Sequence, residues 1–162
     1  MTILGIDIGF KGGLAFYQPE TKEFSTTTMP IIGSGKDREL DLSDLTDWIT
    51  DSELVVAEKV HAMPEQGVSS SFRFGEQLGL IRGICFAKKV PLILVTPQRW
   101  KKIVLAGYNW KGNKSMAVKF VQQRYPSVDL LATVKCKKPH DGIADAVCLA
   151  EYGRINNSTT QE

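Results

Sequence analysis

Apolar and polar residues follow two different periods along this 162-residue chain, and each period predicts one kind of element. Short runs that are apolar, or that alternate apolar with polar residues, are typical of β-strands. Such runs predict strands over residues 2–9, 13–18, 23–29, 53–60 and 91–96. The turn Phe10-Lys11-Gly12 joins the first two runs, so they are expected to form a hairpin.

Longer segments place apolar residues three or four positions apart, which predicts helices. These segments are residues 41–50, 69–88, 100–105, 114–125 and 140–154. Asp41 or Ser43 is suited to cap the first helix, and Pro126 stops the fourth. Turn-forming residues predict loops over 32–37 and 61–68.

The order of these elements predicts the fold class. Three strands follow one another directly, and strands and helices alternate after them. This order predicts an α/β protein with a mixed five-stranded sheet, an antiparallel meander followed by parallel strands, flanked by helices. The length suits one domain, expected over residues 1–155, with residues 156–162 as a flexible tail.

Composition narrows the expected compartment. No apolar stretch is long enough to span a membrane, and no secretory signal opens the sequence. The three cysteines, Cys85, Cys136 and Cys148, are odd in number and scattered, which indicates a reducing compartment. We therefore expect a cytoplasmic protein without a membrane partner.

Charge is distributed unevenly along the chain. Residues 82–138 contain thirteen Lys and Arg but a single acid, Asp129, although the whole chain has a net charge of only +2. A basic block of this kind is typical of a protein that binds a polyanion such as nucleic acid.

Four acidic residues occur where apolar residues are expected. Asp7 interrupts the first strand, and Glu58 ends the apolar run 54–57. Asp141 and Asp145 are four residues apart on the last predicted helix, so they share one face of a helix that is otherwise almost entirely apolar. Buried carboxylates are costly unless they are paired or bind a metal. Oxygen ligands suit Mg²⁺ or Mn²⁺, and two such ions would support phosphodiester cleavage.

Three of these segments together resemble a known family. GIDIG at residues 5–9, VVAEKV at 55–60 and HDGIADA at 140–146 are similar to motifs of RuvC-type Holliday junction resolvases, which belong to the ribonuclease H-like superfamily. Residues 58–83 resemble the versions carried by bacteriophages. The resemblance implies a ribonuclease H-like fold and catalytic metal ligands at Asp7, Glu58, Asp141 and Asp145. It also implies a homodimer that binds four-way DNA junctions and leaves 5′-phosphate and 3′-hydroxyl ends.

Two positions depart from the bacterial pattern. Many bacterial members have the last two ligands three residues apart, so either Asp141 or His140 is open as the third ligand. An aromatic residue often follows the strand glutamate, but here His61 stands three residues after Glu58. Branched DNA in general is therefore the expected substrate class.

Residues that contact DNA are expected mainly in the basic block and at the start of the long helix. Trp100 and Trp110 are expected to pack rather than to stack on bases. The candidates for DNA contact are His61, Ser69, Ser70, Phe72, Arg73, Arg99, Lys101, Lys102, Lys111, Lys114 and Lys119.

Gly75, Gly79 and Gly83 repeat every four residues on the long helix. This spacing allows another backbone to approach closely, and it fits either packing on the sheet or a dimer contact beside Phe74, Leu78 and Ile81.

The sequence is also compatible with two functions other than DNA cleavage. A non-catalytic nucleic-acid-binding module would explain the basic block but would leave the four acids without a role. An ATP-binding domain of the actin and sugar-kinase class would explain GIDIG, but such domains are longer and need a second Gly-rich phosphate loop.

Overall fold

A mixed five-stranded sheet forms the centre of the protein, which confirms the predicted fold class. The computed structural model describes residues 1–59 and 67–158. In chain order the strands are β1 (Ile3–Asp7), β2 (Gly13–Gln18), β3 (Glu23–Thr28), β4 (Ile31–Ile32), β5 (Glu39–Leu40), β6 (Leu54–Glu58) and β7 (Leu92–Val95). The large sheet has the order β3-β2-β1-β6-β7, in which β1, β2 and β3 are antiparallel and β6 and β7 run parallel to β1.

Helices cover both faces of this sheet. They are α1 (Leu42–Thr50), α2 (Val68–Lys88), α3 (Pro97–Val104), α4 (Met116–Arg124) and α5 (Asp141–Ser158). Within the described ranges, no helix is long and apolar enough to cross a membrane.

The two faces of the sheet form two separate cores because successive strand residues point in opposite directions. On one face, Leu4 and Ile6 of β1 pack with residues of α1 and α2, including the buried Ile49 and Ile81. On the other face, Ile3 packs with α3, α4 and α5. β1 is therefore buried on both sides, as a central strand of a layered α/β fold must be.

Helix α5 lies directly on the backbone of β1 and β2. An added Cβ at Gly5 would overlap the carbonyl oxygen of Ala146, and one at Gly13 would lie 2.8 Å from the backbone nitrogen of Ile143. Only glycine leaves room for this approach. Because α5 is enclosed by the sheet and by α3 and α4, it is apolar nearly all round, as a buried helix is.

Several predicted boundaries need correction. The predicted loop at 32–37 contains a short 3₁₀ helix (Gly35–Asp37), flanked by the two-residue strands β4 and β5, which are too short to leave a periodic pattern. Helix α5 ends at Ser158 rather than at Arg154. The Asp41 cap is confirmed, since its carboxylate accepts hydrogen bonds from the backbone nitrogens of Ser43 (3.1 Å) and Asp44 (3.2 Å). Most of the predicted loop 61–68 lies outside the described residues.

The glycine face of α2 does not pack on the sheet. Among residues 1–59 and 67–158, and apart from the backbone of α2 itself, no atom lies within 4 Å of a Cβ added at Gly75, Gly79 or Gly83. The packing alternative is therefore wrong for this chain. Phe74, Leu78 and Ile81 point instead into the core, because they lie on the opposite side of the helix.

We predict that Gly5→Ala destabilises the protein by about 3 kcal/mol or more, because the new methyl group forces α5 away from β1. Chemical denaturation measures the loss. Gly67→Ala is the matched control: Gly67 is the N-cap of α2 with φ −57°, and no atom of the described residues lies within 4 Å of an added Cβ, so its substitution should cost about 1 kcal/mol or less. Equal effects of the two substitutions would contradict this account of the packing.

Candidate active site

Asp7 and Glu58 end two neighbouring parallel strands. In the pairing of β1 with β6, Ile6 lies opposite Ala57, and Asp7 and Glu58 are the next residues on each strand. The carboxyl ends of parallel strands meet at the same edge of a sheet, which is where ligands bind in open α/β folds. The two carboxyl groups are thus brought to one end of the sheet.

Helix α5 brings Asp141 and Asp145 to the same end. Its first turn is fixed against the β1–β2 hairpin by a bridge between Gly12 and Gly142. An added Cβ at Gly142 would lie 2.5 Å from the carbonyl oxygen of Lys11, so this position also requires glycine. Asp141 is exposed at the helix start, and Asp145 is half-buried one turn later.

His140 caps this helix. Its Nδ1 accepts a hydrogen bond from the backbone nitrogen of Ile143 at 3.2 Å. While Nδ1 accepts this bond, the neutral imidazole carries its proton on Nε2, so neither ring nitrogen is free for a metal. His140 could therefore act as the third ligand only by giving up this cap, whereas Asp141 would lose no cap by binding an ion.

The acids interact electrostatically. Burial, together with the charges of Asp145 and Glu58, raises the pKa of Asp7 well above its ordinary value. Burial is also the main reason that the pKa of Asp145 rises to about 7, and the charges of Glu58 and Asp141 add to it. The charge of Lys101 opposes these effects at both aspartates. Without a cation, the raised pKa values of Asp7 and Asp145 therefore favour their protonated forms near neutral pH.

This donor set fits a hard divalent cation. All four acids offer oxygen, and a nearby double positive charge would favour the ionised carboxylates that burial and mutual repulsion disfavour. Among residues 1–59 and 67–158, however, no three donors already converge at coordinating distances. Some of the side chains of this set would therefore have to rotate before they could share an ion.

Lys101 and Lys114 belong to this site rather than to a remote DNA surface. A cavity of about 250 Å³ opens beside α5 and is lined by Lys101, Leu105, Trp110, Asn113, Lys114, Ala117, Asp141 and Asp145. The sequence did not reveal that Lys101 faces the acids. The need for a compensating positive charge near Asp7 and Asp145 is the signal that could have pointed to such a residue.

Trp100 makes a contact that the sequence did not predict. Its ring is fully buried, which confirms the expected packing role. In addition, its Nε1 donates a hydrogen bond to Oε2 of Glu58 at 2.8 Å. Nothing in the local pattern distinguishes this tryptophan from a purely apolar core residue.

The other predicted DNA contacts lie at several places on the surface. Ser69 and Phe72 are exposed at the start of α2, and Phe72 is 73% exposed. Ser70 lies in the same turn of α2. The predicted contacts in the basic block that have exposed side chains away from this cavity are Arg99, Lys102, Lys111 and Lys119. His61 lies outside the described residues.

Arg73 has a different environment. Its Nη2 donates to the carbonyl oxygen of Lys36 at 3.3 Å, which ties α2 to the 3₁₀ helix. It also lines a larger cavity of about 460 Å³, together with Phe10, Lys36, Asp37, Arg38, Glu39, Leu40, Leu42, Glu76, Gln77 and Leu80. None of the four clustered acids lines this cavity, so its size does not identify it as the reaction site.

Comparison with known proteins supports the fold. No protein-family model and no curated protein matches the sequence. Among solved structures, Thermus thermophilus RuvC is similar with a TM-score of 0.63 at 18% identity, over 99% of this chain and 97% of that chain. T. thermophilus RuvC in complex with a Holliday junction substrate is similar with a TM-score of 0.63 at 16% identity, over 98% and 96% of the two chains. The chain therefore has a RuvC-like fold.

We predict that Asp145→Asn stabilises the metal-free protein above pH 7. The carboxyl titrates near 3.8 when unfolded and near 7 when folded, so the native state binds more protons between these values and stability falls as the pH rises through this window. The loss has an upper bound on the order of 4 kcal/mol. In EDTA at pH 8 the variant should melt at a higher temperature than the unmodified protein, and the difference should shrink towards pH 4. A difference that is constant across this range would contradict the assigned pKa shift.

Proposed function

We propose that this protein is a metal-dependent, structure-selective endonuclease that cleaves Holliday junctions and other branched DNA. The observation that carries the proposal is the cluster of Asp7, Glu58, Asp141 and Asp145 at one end of the sheet, next to a basic surface. The RuvC-like fold supports it, and one of the similar structures is a complex with a Holliday junction substrate. Hydrolysis would leave 5′-phosphate and 3′-hydroxyl ends.

The cluster would hold two Mg²⁺ ions, for which Mn²⁺ can substitute. Such a pair supplies an activated water and stabilises the charge on the leaving oxygen. Asp7 and Glu58, fixed at strand ends, provide rigid ligands, whereas Asp145 and either Asp141 or His140 complete the set from α5. Lys101 and Lys114 line the adjoining cavity, where their charges suit a DNA phosphate.

The basic surface would position the DNA backbone without reading sequence. Its exposed members Arg99 and Lys102 lie on α3, and Lys119 lies on α4. At the start of α2, Ser69, Ser70, Phe72 and Arg73 would contact the strands near the branch point, and His61 and Lys111 complete the proposed contacts.

The two alternative functions leave features of the sequence and the structure unexplained. A non-catalytic binding module has no use for buried, mutually repelling carboxyl groups, which cost stability. An ATP-binding domain of the actin class would need a second phosphate loop, which the sequence does not contain.

We also propose a homodimer formed through the exposed face of α2. This face consists of Val68, Phe72, Gly75, Gly79, Gly83 and Phe86, and two of its phenylalanines are 73% and 87% exposed. An exposed apolar stripe with glycines at its centre suits a second helix that approaches closely. A second copy is the favoured occupant, because symmetric incision of two strands needs two active sites related by a two-fold axis.

The resemblance of residues 58–83 to bacteriophage versions leads us to propose that the protein is phage-encoded. It would then act in the cytoplasm of a bacterial host, a compartment that suits three free cysteines.

We predict that Asp7→Asn abolishes Mg²⁺-dependent cleavage of a labelled four-way junction while binding in Ca²⁺ or EDTA stays within about threefold. The amide keeps the shape of the side chain but cannot supply the charge that holds a cation. Gel-based cleavage and mobility-shift assays measure the two effects. Asp47→Asn, at an exposed acid on α1, is the matched control and should cleave normally. Normal cleavage by Asp7→Asn would exclude the proposed site.

We predict that Gly79→Leu makes the protein monomeric without unfolding it, because no neighbouring element in the described part of the chain has an atom within 4 Å of an added Cβ. Sedimentation at micromolar concentration measures the assembly, and a thermal melt checks the fold. The control Gln122→Leu adds the same side chain to an exposed position on α4 and should stay dimeric. An unmodified protein that is monomeric both free and on a junction would contradict the dimer.

A further inference from the structure

The indole of Trp100 joins the apolar core to the acidic cluster. The residue is completely buried among the side chains that pack between the sheet and α3–α5. Its Nε1 is the single polar atom of the side chain, and it donates to Oε2 of Glu58 at 2.8 Å. A buried indole N–H requires a partner, and the partner here is the carboxyl group at the end of β6.

This hydrogen bond makes the two carboxyl oxygens of Glu58 inequivalent, because Oε2 accepts it. Oε2 accepts from a donor that cannot move, because the ring is enclosed by the core. Hydrogen bonds to a carboxylate are among the stronger ones, so this bond also restrains rotation of the carboxyl group. A cation bound through Oε1 alone leaves this hydrogen bond intact, whereas a cation that takes both oxygens has to share Oε2 with the indole N–H.

The number of oxygens that a glutamate offers influences which cation it favours. Ca²⁺ accepts six to eight oxygens and commonly takes both oxygens of one carboxylate. Mg²⁺ demands octahedral geometry and is bound through one or two carboxylates with water in the remaining positions. A glutamate that keeps its hydrogen bond best when it binds through one oxygen therefore favours Mg²⁺ over Ca²⁺.

We propose that Trp100 is a positioning residue that keeps Glu58 a one-oxygen ligand and thereby selects Mg²⁺ over Ca²⁺. This inference rests on the proposed metal-dependent function. It adds a determinant of cation specificity outside the ligand set, on α3 rather than on a ligand-bearing element.

The neighbouring residue reinforces this arrangement. Nζ of Lys101 lies 5.2 Å from the centre of the Trp100 ring, within the range of a cation–π contact. The charge of Lys101 acts on Asp7 and Asp145. The buried ring of Trp100 thus contacts both Glu58 and Lys101, so the position of the ring affects where both side chains lie.

The test is Trp100→Phe, which keeps an aromatic ring but removes the N–H. Titration calorimetry of the full chain with MgCl₂ and with CaCl₂, without DNA, gives both affinities. We expect Mg²⁺ affinity to fall about tenfold, as is usual when a partner of a metal ligand is lost. Ca²⁺ affinity should fall much less or rise, because Glu58 can now offer both oxygens. The control Trp48→Phe, on α1 and outside the cavity beside α5, should leave the ratio of the two affinities unchanged.

A second measurement does not depend on how well Trp100→Phe folds. In the Trp48→Phe/Trp110→Phe double variant, Trp100 is the sole tryptophan. Saturation with Mg²⁺ should shift its fluorescence, because a cation on Glu58 withdraws charge from the oxygen that the indole contacts.

The outcomes separate the two proposals. Equal losses of Mg²⁺ and Ca²⁺ affinity in Trp100→Phe, or unchanged emission when Mg²⁺ saturates the double variant, would show that Trp100 only packs. Neither outcome affects the proposed nuclease function. Failure of the unmodified protein to bind either cation would overturn the metal-dependent function and this inference together.

Discussion

The close approach of α5 to the backbone of β1 and β2 is the constraint on which the rest of the structure depends. It exists because Gly5, Gly13 and Gly142 have no side chains where the helix meets the hairpin. Any larger residue at these points would lift the helix from the sheet. Since Asp145 is on that helix and Asp7 is on β1, the same contact that closes the core also sets the spacing of the acids.

This arrangement makes the protein less stable than an apolar core of the same shape would be. Burial and mutual repulsion raise the pKa values of Asp7 and Asp145, so the folded chain resists the ionised state that a metal site needs. Lys101 offsets part of this cost, and a divalent cation would offset more. Functional sites commonly lower the stability of the unliganded protein, and the well-packed remainder of the fold compensates for this loss.

Much of the fold and the four acids of the cluster could be predicted from the sequence. The periodicity of apolar residues indicates which positions are buried, and each of these acids lies in an otherwise apolar segment. Asp7 and Glu58 stand out within apolar strands, and the order of strands and helices brings both strand ends to one edge of the sheet. The elements that were missed are short or depend on tertiary contacts. β4 and β5 have two residues each, and the direction of the glycine face of α2 depends on which side of the helix the sheet occupies.

Helix α3 shows why the site itself could not be read completely from the sequence. Trp100 and Lys101 turn inward to the cluster, whereas Arg99 and Lys102, their immediate neighbours, are exposed. A run of basic residues around a tryptophan predicts a DNA-binding surface. The orientation of α3 in the fold decides which of these side chains face the acidic cluster and which face solvent, and the sequence alone does not give this orientation. The same turn of helix therefore connects the surface that would hold DNA phosphates to Glu58 inside. A phosphate bound on the outside of α3 would lie within about one helical turn, roughly 5 Å along the axis, of residues that set the charge and position of the acids.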